Sequence, residues 1–299
     1  TVAGCVREMR RQAENVTRVH SIYVTDKHGK LKGRLSLKDL LTAPGKAHIS
    51  DVYIPKVDYV NVHTEAEDVA RIMQKYDLEA IPVVDEEGIL VGRITIDDIV
   101  DFIKEEAEKD YQMAAGISQD VEADDGIIKQ TRARLPWLLI GMLGGLGAAS
   151  IIASFQTILE SYPKLLIFVP LIQATAGNVG VQSSAIVVQG LANDTLKGNI
   201  ISRLLRESGL ALVNGLAIAL VVLVISHFLF FTTYLESISI GIALISVILL
   251  AALIGTFIPI ILDRRGIDPA VATGPFITTS NDVFGILTYF LIAKLILGF

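Results

Sequence analysis

One carboxylate stands out in this sequence because it lies in the middle of an apolar stretch long enough to cross a membrane. Residues 269–298 contain two charged side chains, Asp282 near the middle and Lys294 near the end. An ionised carboxylate at this depth is costly unless it faces protein or water. Such a group can attract a cation, so Asp282 predicts a cation site. The alternative is a protonated or helix-paired aspartate that only locks helix packing.

Two apolar stretches carry more polar and small residues than a lipid-facing helix tolerates. Polar groups are not left in hydrocarbon, so these stretches are predicted to face protein or a water-filled path. In 165–193 the residues concerned are Gln173, Thr175, Gly177, Asn178, Gly180, Gln182, Ser183, Ser184 and Gln189. In 269–298 they are Thr273, Gly274, Pro275, Thr278, Thr279, Ser280 and Asn281.

The elements that must position these residues are membrane-spanning helices, each of which needs roughly 20 apolar residues. Five spans are predicted in a transmembrane region 132–299, at 136–159, 165–193, 208–235, 237–262 and 269–298. Residues 136–299 hold seven acids and seven bases, so the net charge of −6 belongs to the preceding part. Basic residues before the first span, such as Arg132, and between later spans, such as Lys197 and Arg264, predict a cytosolic N-terminus and a C-terminus outside.

The part before the membrane is a tandem repeat. Residues 22–41 and 81–100 align at an offset of 59, and eight of twenty positions are identical. Each copy is predicted to form a strand, an Asp–Gly turn, a second strand and a helix. The helices open at Ser36 and Thr95, residue types that suit an N-cap.

This repeat resembles a CBS-domain pair, with a first motif at 1–45 and a second at 46–103. Such pairs often hold an adenine nucleotide such as ATP, whose phosphate contacts a hydroxyl and a helix N-terminus while a carboxylate contacts the ribose. The matching residues are Gly33, Ser36, Asp39, Gly92, Thr95 and Asp98. Alternatively, these residues only cap helices and close turns.

An acidic linker helix is predicted at 104–131, between the repeat and the first span. Residues 97–125 contain eleven acids and two lysines. Asp98 and Asp101 are three apart and Glu106 and Asp110 four apart, so each pair shares a helix face. Like charges at this spacing are destabilising unless a cation neutralises them. A charge run is usually a solvated face, but this one leads directly into the membrane region.

Taken in order, the CBS pair, the acidic linker and the five spans resemble the MgtE family of Mg²⁺ channels and transporters. The resemblance implies an α+β cytosolic CBS-domain pair followed by an all-α five-span transmembrane domain. The family's N-terminal helical domain is absent from this sequence. The motifs that carry the resemblance are Gly177-Asn178-Val-Gly180-Val-Gln182-Ser183, Asp268-Pro269-Ala270, and the run from Gly274-Pro275 to Asn281-Asp282.

Carried over by residue, the resemblance implies a homodimer in the plasma (inner) membrane with a pore lined by spans two and five. The implied pore residues are Asp282, Thr278, Gly177 and Asn178. Regulatory Mg²⁺ would close the pore when intracellular Mg²⁺ is high, bound by Glu65, Glu67, Asp77, Asp98, Asp101, Glu106 and Asp110. The sequence departs from the family at Val181 and Gly274, where Asn is usual, and at Lys109, where an acid is usual.

Two other functions stay open from the sequence. One is a coupled transporter of another divalent cation such as Mn²⁺ or Co²⁺, with Asp282 as the coupling carboxylate. The other is a non-conducting, nucleotide-sensing membrane receptor. An enzyme is not expected, because no hydrolase, zinc-protease or phosphate-loop motif is present. The acidic soluble part disfavours nucleic acid as a partner, and the single Cys5 excludes an internal disulfide.

Overall fold

The computed structural model describes residues 1–12, 21–193, 195–196, 199–272 and 274–298. The chain divides into two compact units, Thr1–Ala107 and Glu108–Phe299. The first unit contains the repeat and the second contains the apolar stretches. Two residues named above lie outside the described residues: Lys197, one of the basic residues used to predict orientation, and Thr273.

In the first unit each repeat folds as an antiparallel strand pair followed by a helix. The described elements are α1 (Val2–Gln12), β1 (Ile22–Thr25), β2 (Leu31–Leu35), α2 (Leu37–Thr42), β3 (Val60–Asn61), α3 (Ala66–Lys75), β4 (Ala80–Val84), β5 (Leu90–Thr95) and α4 (Ile96–Ala114). β1 pairs with β2, and β4 pairs antiparallel with β5 and parallel with β3. This is the predicted α+β arrangement.

The shared Asp–Gly signature of the two repeats is explained by the hairpin turns. Asp26 Oδ1 accepts hydrogen bonds from the backbone N–H groups of residues 28 and 30, at 2.9 and 3.0 Å. Asp85 Oδ1 accepts equivalent bonds at 3.0 and 2.9 Å. Gly29 and Gly88 have φ of +83° and +80°, a conformation that favours glycine. These four residues therefore have structural reasons to recur.

Each repeat of the first unit also has its own small hydrophobic core. Val2, Leu35 and Leu40 are buried in the first. Met73 and Ile81 are fully buried in the second, where α3 packs on the sheet. The apolar spacing of α3 places one face toward the core, as expected for an amphipathic helix.

The linker differs from the single helix predicted at 104–131. Helix α4 begins at Ile96, within the second repeat, and ends at Ala114, so residues 115–126 separate it from the next helix. Gly116 ends α4 with φ +80°. Its N–H donates to the Met113 carbonyl and the Ile117 N–H donates to the Gln112 carbonyl, both at 2.9 Å. This pair of hydrogen bonds is a Schellman motif, which ends a helix at a glycine.

The second unit contains, among its described residues, five helices long and apolar enough to cross a membrane. They are α5 (Ile127–Ser154), α7 (Val169–Ala192, preceded by a 3₁₀ turn at Pro163–Phe168), α8 (Ile200–Phe228), α9 (Tyr234–Arg264) and α10 (Pro275–Leu297). A short helix, α6 (Gln156–Ser161), joins α5 to the 3₁₀ turn.

The ends of three helices differ from the predicted spans. α5 begins at Ile127 and ends at Ser154, whereas the prediction was 136–159. α8 ends at Phe228 because Thr233 and Glu236 form a capping box that starts α9. α10 begins at Pro275, after Gly274, whereas the prediction was 269. Hydropathy marks the part of a helix in hydrocarbon, while caps and glycines decide where its hydrogen bonding ends.

Helix α9 is the centre of the membrane unit and packs against α7, α8 and α10. In the most apolar stretch of α9, 56% of the residues are buried inside the protein. The corresponding share for α5, which packs mainly on α10, is 6%. The core contains Leu244, Ile248 and Phe290, and all three are fully buried. The helices that carry the polar stretches, α7 and α10, are therefore held from behind by α9.

Tyr289 provides a test of this packing. It is 0% exposed, and its hydroxyl donates to the Leu165 carbonyl at 2.9 Å. Tyr289→Phe should lower the free energy of unfolding by about 1 kcal/mol, because a buried hydrogen bond is lost. Thermal unfolding in detergent measures this. The matched control is Tyr234→Phe, whose side chain is largely exposed. Equal unfolding midpoints for both variants would contradict the packing described.

Candidate functional site

The four predicted pore residues line one open pocket in the membrane unit. The pocket has a volume of about 480 Å³ and is formed by α7 and α10. Its lining residues are Gln173, Ala174, Gly177, Asn178, Val181, Gln182, Thr278 and Asp282. The pocket thus brings together all four predicted residues, Asp282, Thr278, Gly177 and Asn178. More than 90 residues of sequence separate the lining residues of α7 from those of α10.

Helical periodicity explains why these residues share a face. Gln173, Gly177 and Val181 are spaced by four on α7, and so are Thr278 and Asp282 on α10. Residues four apart lie one above another on a helix. Buried residues such as Ala176 and Gly180 lie on the other side of α7. The sequence therefore gives α7 and α10 one polar face toward the pocket and one packed face.

The chemistry of the pocket is that of oxygen atoms around one carboxylate. Asp282 forms no ion pair with any described residue, so no Lys or Arg neutralises it there. The Thr278 hydroxyl donates to the Gly274 carbonyl at 3.1 Å, which leaves its lone pairs free to accept. Amide groups of Gln173, Asn178 and Gln182 complete the lining. Hard divalent cations prefer such oxygen ligands and the waters that these oxygens can hold.

Gly177 lines the pocket where α7 faces Thr278 of α10. A Cβ built at Gly177 would lie 3.4 Å from Thr278 Cγ2. A larger side chain there would meet Thr278 and fill the pocket. The glycine predicted at the narrow part of the second span therefore has a steric reason.

The acidic helix α4 ends against the start of α10, a contact that the sequence analysis did not predict. A Cβ built at Gly274 would collide with the carbonyl oxygen of Ala114, and one at Gly116 would collide with Pro275 Cγ. Gly274 has φ +55° and ψ −121°, which few residues other than glycine adopt. The paired glycines were the only signal of this contact in the sequence.

The residues matched to a nucleotide site have different surroundings in the two repeats. Ser36 caps α2 and its hydroxyl donates to Asp39 at 2.5 Å. A Cβ at Gly33 would lie 2.7 Å from the Tyr53 ring and collide with the Ile54 carbonyl, so packing alone requires this glycine. These contacts match the alternative in which the first repeat's residues only cap and close.

The second repeat leaves its matched glycine open. A Cβ at Gly92 would meet nothing within 4 Å. Thr95 donates to the Asp98 carboxylate from its hydroxyl at 2.6 Å and its N–H at 2.8 Å. These hydrogen bonds, first that of the hydroxyl, lower the pKa of Asp98, so its carboxylate stays ionised at neutral pH. An ionised group beside open space can contact a ligand.

The predicted regulatory acids lie on separate elements of the described chain. Glu65 and Glu67 lie at the start of α3, Asp77 follows its end with φ +49°, and the remaining members lie on α4. Within the described residues, no group of three or more Asp, Glu, His or Cys side chains is placed to hold a metal ion. The described residues of one chain therefore complete no metal site with the acids of α4, which stay candidate ligands: Asp98, Asp101, Glu106 and Asp110.

Sequence reasoning also missed a buried acid behind α7. Glu207 of α8 is only 7% exposed and accepts a hydrogen bond from the Ser183 hydroxyl at 2.7 Å. Glu207 directly precedes the apolar stretch 208–235, and this position could have indicated that it is buried. The bond ties α8 to the packed side of α7.

Nearly the whole chain is similar to known proteins or matches known family models. The MgtE family model, described as a divalent cation transporter, matches residues 169–292, and the CBS domain model matches residues 1–46 and 49–105. Magnesium transporter MgtE of Thermus thermophilus is 36% identical over 99% of this chain. Magnesium transporter MgtE of Enterococcus faecalis is 36% identical over 100% of it.

The chain spans just under two thirds, 66%, of the length of both relatives. Among solved structures, the cytosolic domain of the Mg²⁺ channel MgtE in complex with ATP is 46% identical where it overlaps. That overlap covers 34% of this chain and 41% of the other, at a TM-score of 0.33.

Gly274 tests the contact between α4 and α10. Gly274→Ala should destabilise the protein by about 1–3 kcal/mol more than Gly266→Ala. Both glycines have positive φ, +55° and +69°, but a Cβ at Gly266 would meet nothing within 4 Å. The pair therefore matches the sign of φ, and Gly274→Ala adds the collision with Ala114 and the strain of its ψ of −121°. Thermal unfolding in detergent reports both variants, and an equal loss would show that the contact is absent.

Proposed function

Because the chain belongs to the MgtE family, we propose that it conducts Mg²⁺ across a membrane through a pore lined by α7 and α10. The observation that carries the proposal is the pocket in which Asp282, Thr278, Gly177 and Asn178 meet. A carboxylate without a described basic partner at membrane depth is a strong candidate for cation binding. The proposed location is the plasma (inner) membrane, which the chain would cross several times with its N-terminus in the cytosol.

We propose that two copies form the pore as a homodimer, with one Asp282 from each. A single chain supplies one carboxylate, a threonine hydroxyl and several amides, and the pocket is open on one side. Two such faces would enclose a path and place two carboxylates near one cation. Helix α5, which is little buried within the chain, leaves further apolar surface for lipid or the second copy.

Selectivity for Mg²⁺ follows from the small number of charged oxygens in this proposal. Mg²⁺ is reluctant to lose its waters and usually keeps several when it binds protein. Asp282 would attract the hydrated ion, while Thr278, Asn178 and backbone carbonyls accept hydrogen bonds from its waters. Ca²⁺ instead favours a cage of six to eight direct oxygen ligands with little water, whereas this pocket is open. Mn²⁺ and Co²⁺ are the competitors that flux assays must separate.

We further propose that cytosolic Mg²⁺ closes the pore through the acidic residues before it. The acids of α4 repel one another in the absence of a cation. Since the described residues of one chain do not complete a metal site, the bound ions would bridge acids supplied by two copies. The end of α4 contacts the start of α10 at Gly274, so a shift of α4 reaches the helix that carries Asp282. This is a two-state element whose populations a ligand shifts.

An adenine nucleotide such as ATP is proposed as a further ligand of the second repeat. Gly92 faces open space, and the ionised Asp98 with Thr95 lies at the start of the long helix α4. A helix N-terminus attracts phosphate, and a carboxylate can accept from ribose hydroxyls. The packed Gly33 makes the first repeat the weaker candidate.

Asp282→Asn should reduce Mg²⁺ flux in proteoliposomes to the level of empty liposomes. The variant keeps the shape of the side chain and removes the charge that attracts the ion. Asp263→Asn, at the exposed end of α9, is the control with the same charge change. Flux at the wild-type level in Asp282→Asn would refute the site. Flux that requires an imposed pH or Na⁺ gradient would favour a coupled transporter, and no wild-type flux would favour a receptor.

The double variant Glu106→Gln with Asp110→Asn should weaken inhibition by Mg²⁺ on the cytosolic side. The half-inhibiting concentration should rise about tenfold, a typical coupling between sites. Glu105→Gln with Glu108→Gln removes two charges from the same helix, outside the predicted set, and should change it little. If both pairs shift inhibition equally, general charge repulsion explains the effect and these particular sites do not.

A further inference from the structure

Asn281 precedes Asp282 in α10 but belongs to the core of the membrane unit and not to the pocket lining. It is 1% exposed, and its Nδ2 donates to the Ala176 carbonyl at 3.2 Å. Its buried Oδ1 has no hydrogen-bond partner among the described residues. Burying an amide with half of its capacity unused is costly. The contact with Ala176 is the gain that offsets this cost.

The bonded carbonyl lies directly behind the pocket. Ala176 is 0% exposed and precedes Gly177 and Asn178, which line the pocket from α7. Successive residues of a helix are rotated by about 100°, so Asn281 and Asp282 face different directions. The hydrogen bond thus joins the packed sides of α7 and α10, and a rotation of α10 about its axis would break it. The same rotation would move Thr278 and Asp282 along the pocket wall.

Two glycines leave the space that this amide occupies. A Cβ at Gly180 of α7 would collide with Asn281 Nδ2 and lie 2.7 Å from Ile277 Cγ2. On α9, a Cβ at Gly255 would lie 3.1 Å from the Cα of Gly180. Backbone atoms of α9 therefore press α7 toward Asn281. No flexible side chain separates these groups, so the fit tolerates little displacement.

We infer that Asn281 is a positioning residue for the cation site. Its amide fixes the rotation of α10 against α7, so that the oxygens of Asp282 and Thr278 face Gly177 and Asn178. The cation in this statement rests on the proposed function, whereas the fixed orientation of residue 282 does not. The other described side-chain hydrogen bond from α10 to a different helical segment, Tyr289 to Leu165, lies two turns further along the helix.

The transport test compares Asn281→Leu with Thr256→Val. Leu approximates the size of Asn and removes the donor. Thr256 is also 0% exposed with a hydroxyl that has no described partner, but it lies on α9 and does not line the pocket. In proteoliposomes, Asn281→Leu should raise the Mg²⁺ concentration for half-maximal flux about tenfold, as expected for a misplaced site. It should also reduce discrimination against Ca²⁺, while Thr256→Val should match wild type in both.

A second measurement does not depend on transport. In a Cys5→Ser, Asp282→Cys background, residue 282 carries the only thiol. Adding Asn281→Leu should change its rate of reaction with a charged, water-soluble thiol reagent about tenfold, and adding Thr256→Val should not. If the wild-type protein carries no Mg²⁺ flux, the proposed function fails and this rate alone decides the inference.

Gly180→Ala replaces Asn281→Leu if the latter does not fold. The added methyl displaces the Asn281 amide from the opposite side, so the same changes are expected. Gly241→Ala is its control, because a Cβ there would make only ordinary contacts at 3.9 Å. A half-saturating concentration or a labelling rate equal to that of the matched control would overturn the inference. A loss confined to the amount of folded protein would also overturn it.

Discussion

An ionised carboxylate at membrane depth is costly unless it faces protein, water or a cation, and this constraint organises the second unit of the chain. Asp282 meets it by lying on an open pocket lined with amides and a hydroxyl. Because helices repeat every 3.6 residues, a polar face toward the pocket requires a packed face on the other side. Small residues on α7 allow the close approach, and α9 fills the space behind it. A buried packed face and a polar face on an open pocket are thus parts of one arrangement.

Backbone atoms make close contacts beside the pocket and at the start of α10. Gly180 lies against Gly255, and Gly274 lies against the end of α4. Backbone contacts leave few alternative side-chain arrangements, so a displacement at one end of α10 is carried along a stiff helix. In the proposed gating, the acidic helix α4 would act on the pore by this route, without a chain of side chains between the acids and Asp282.

Composition and spacing predicted the repeat, the number of spans, Asp282 as a candidate site and the two polar stretches, whereas Gly177, Asn178 and Thr278 were predicted only from the family resemblance. These features follow from local physics, since an apolar stretch needs a helix and Asp282 needs a polar neighbourhood. The helix ends were predicted poorly because caps at Gly116, Thr233 and Gly274 set them, and hydropathy does not detect caps. The bond from Asn281 to Ala176 joins residues 105 apart. It depends on how two helices are rotated, which a single sequence does not encode in any local pattern.

The central claim is that Asp282 of two copies faces a hydrated conduction path. The most direct measurement is a structure of the assembled protein in a lipid environment with Mn²⁺, which can be located by its anomalous scattering. We predict one metal peak on the two-fold axis between the two Asp282 carboxylates, at a distance that leaves room for water. A carboxylate turned toward lipid, or enclosed within the helices of one subunit without metal or water beside it, would contradict the account.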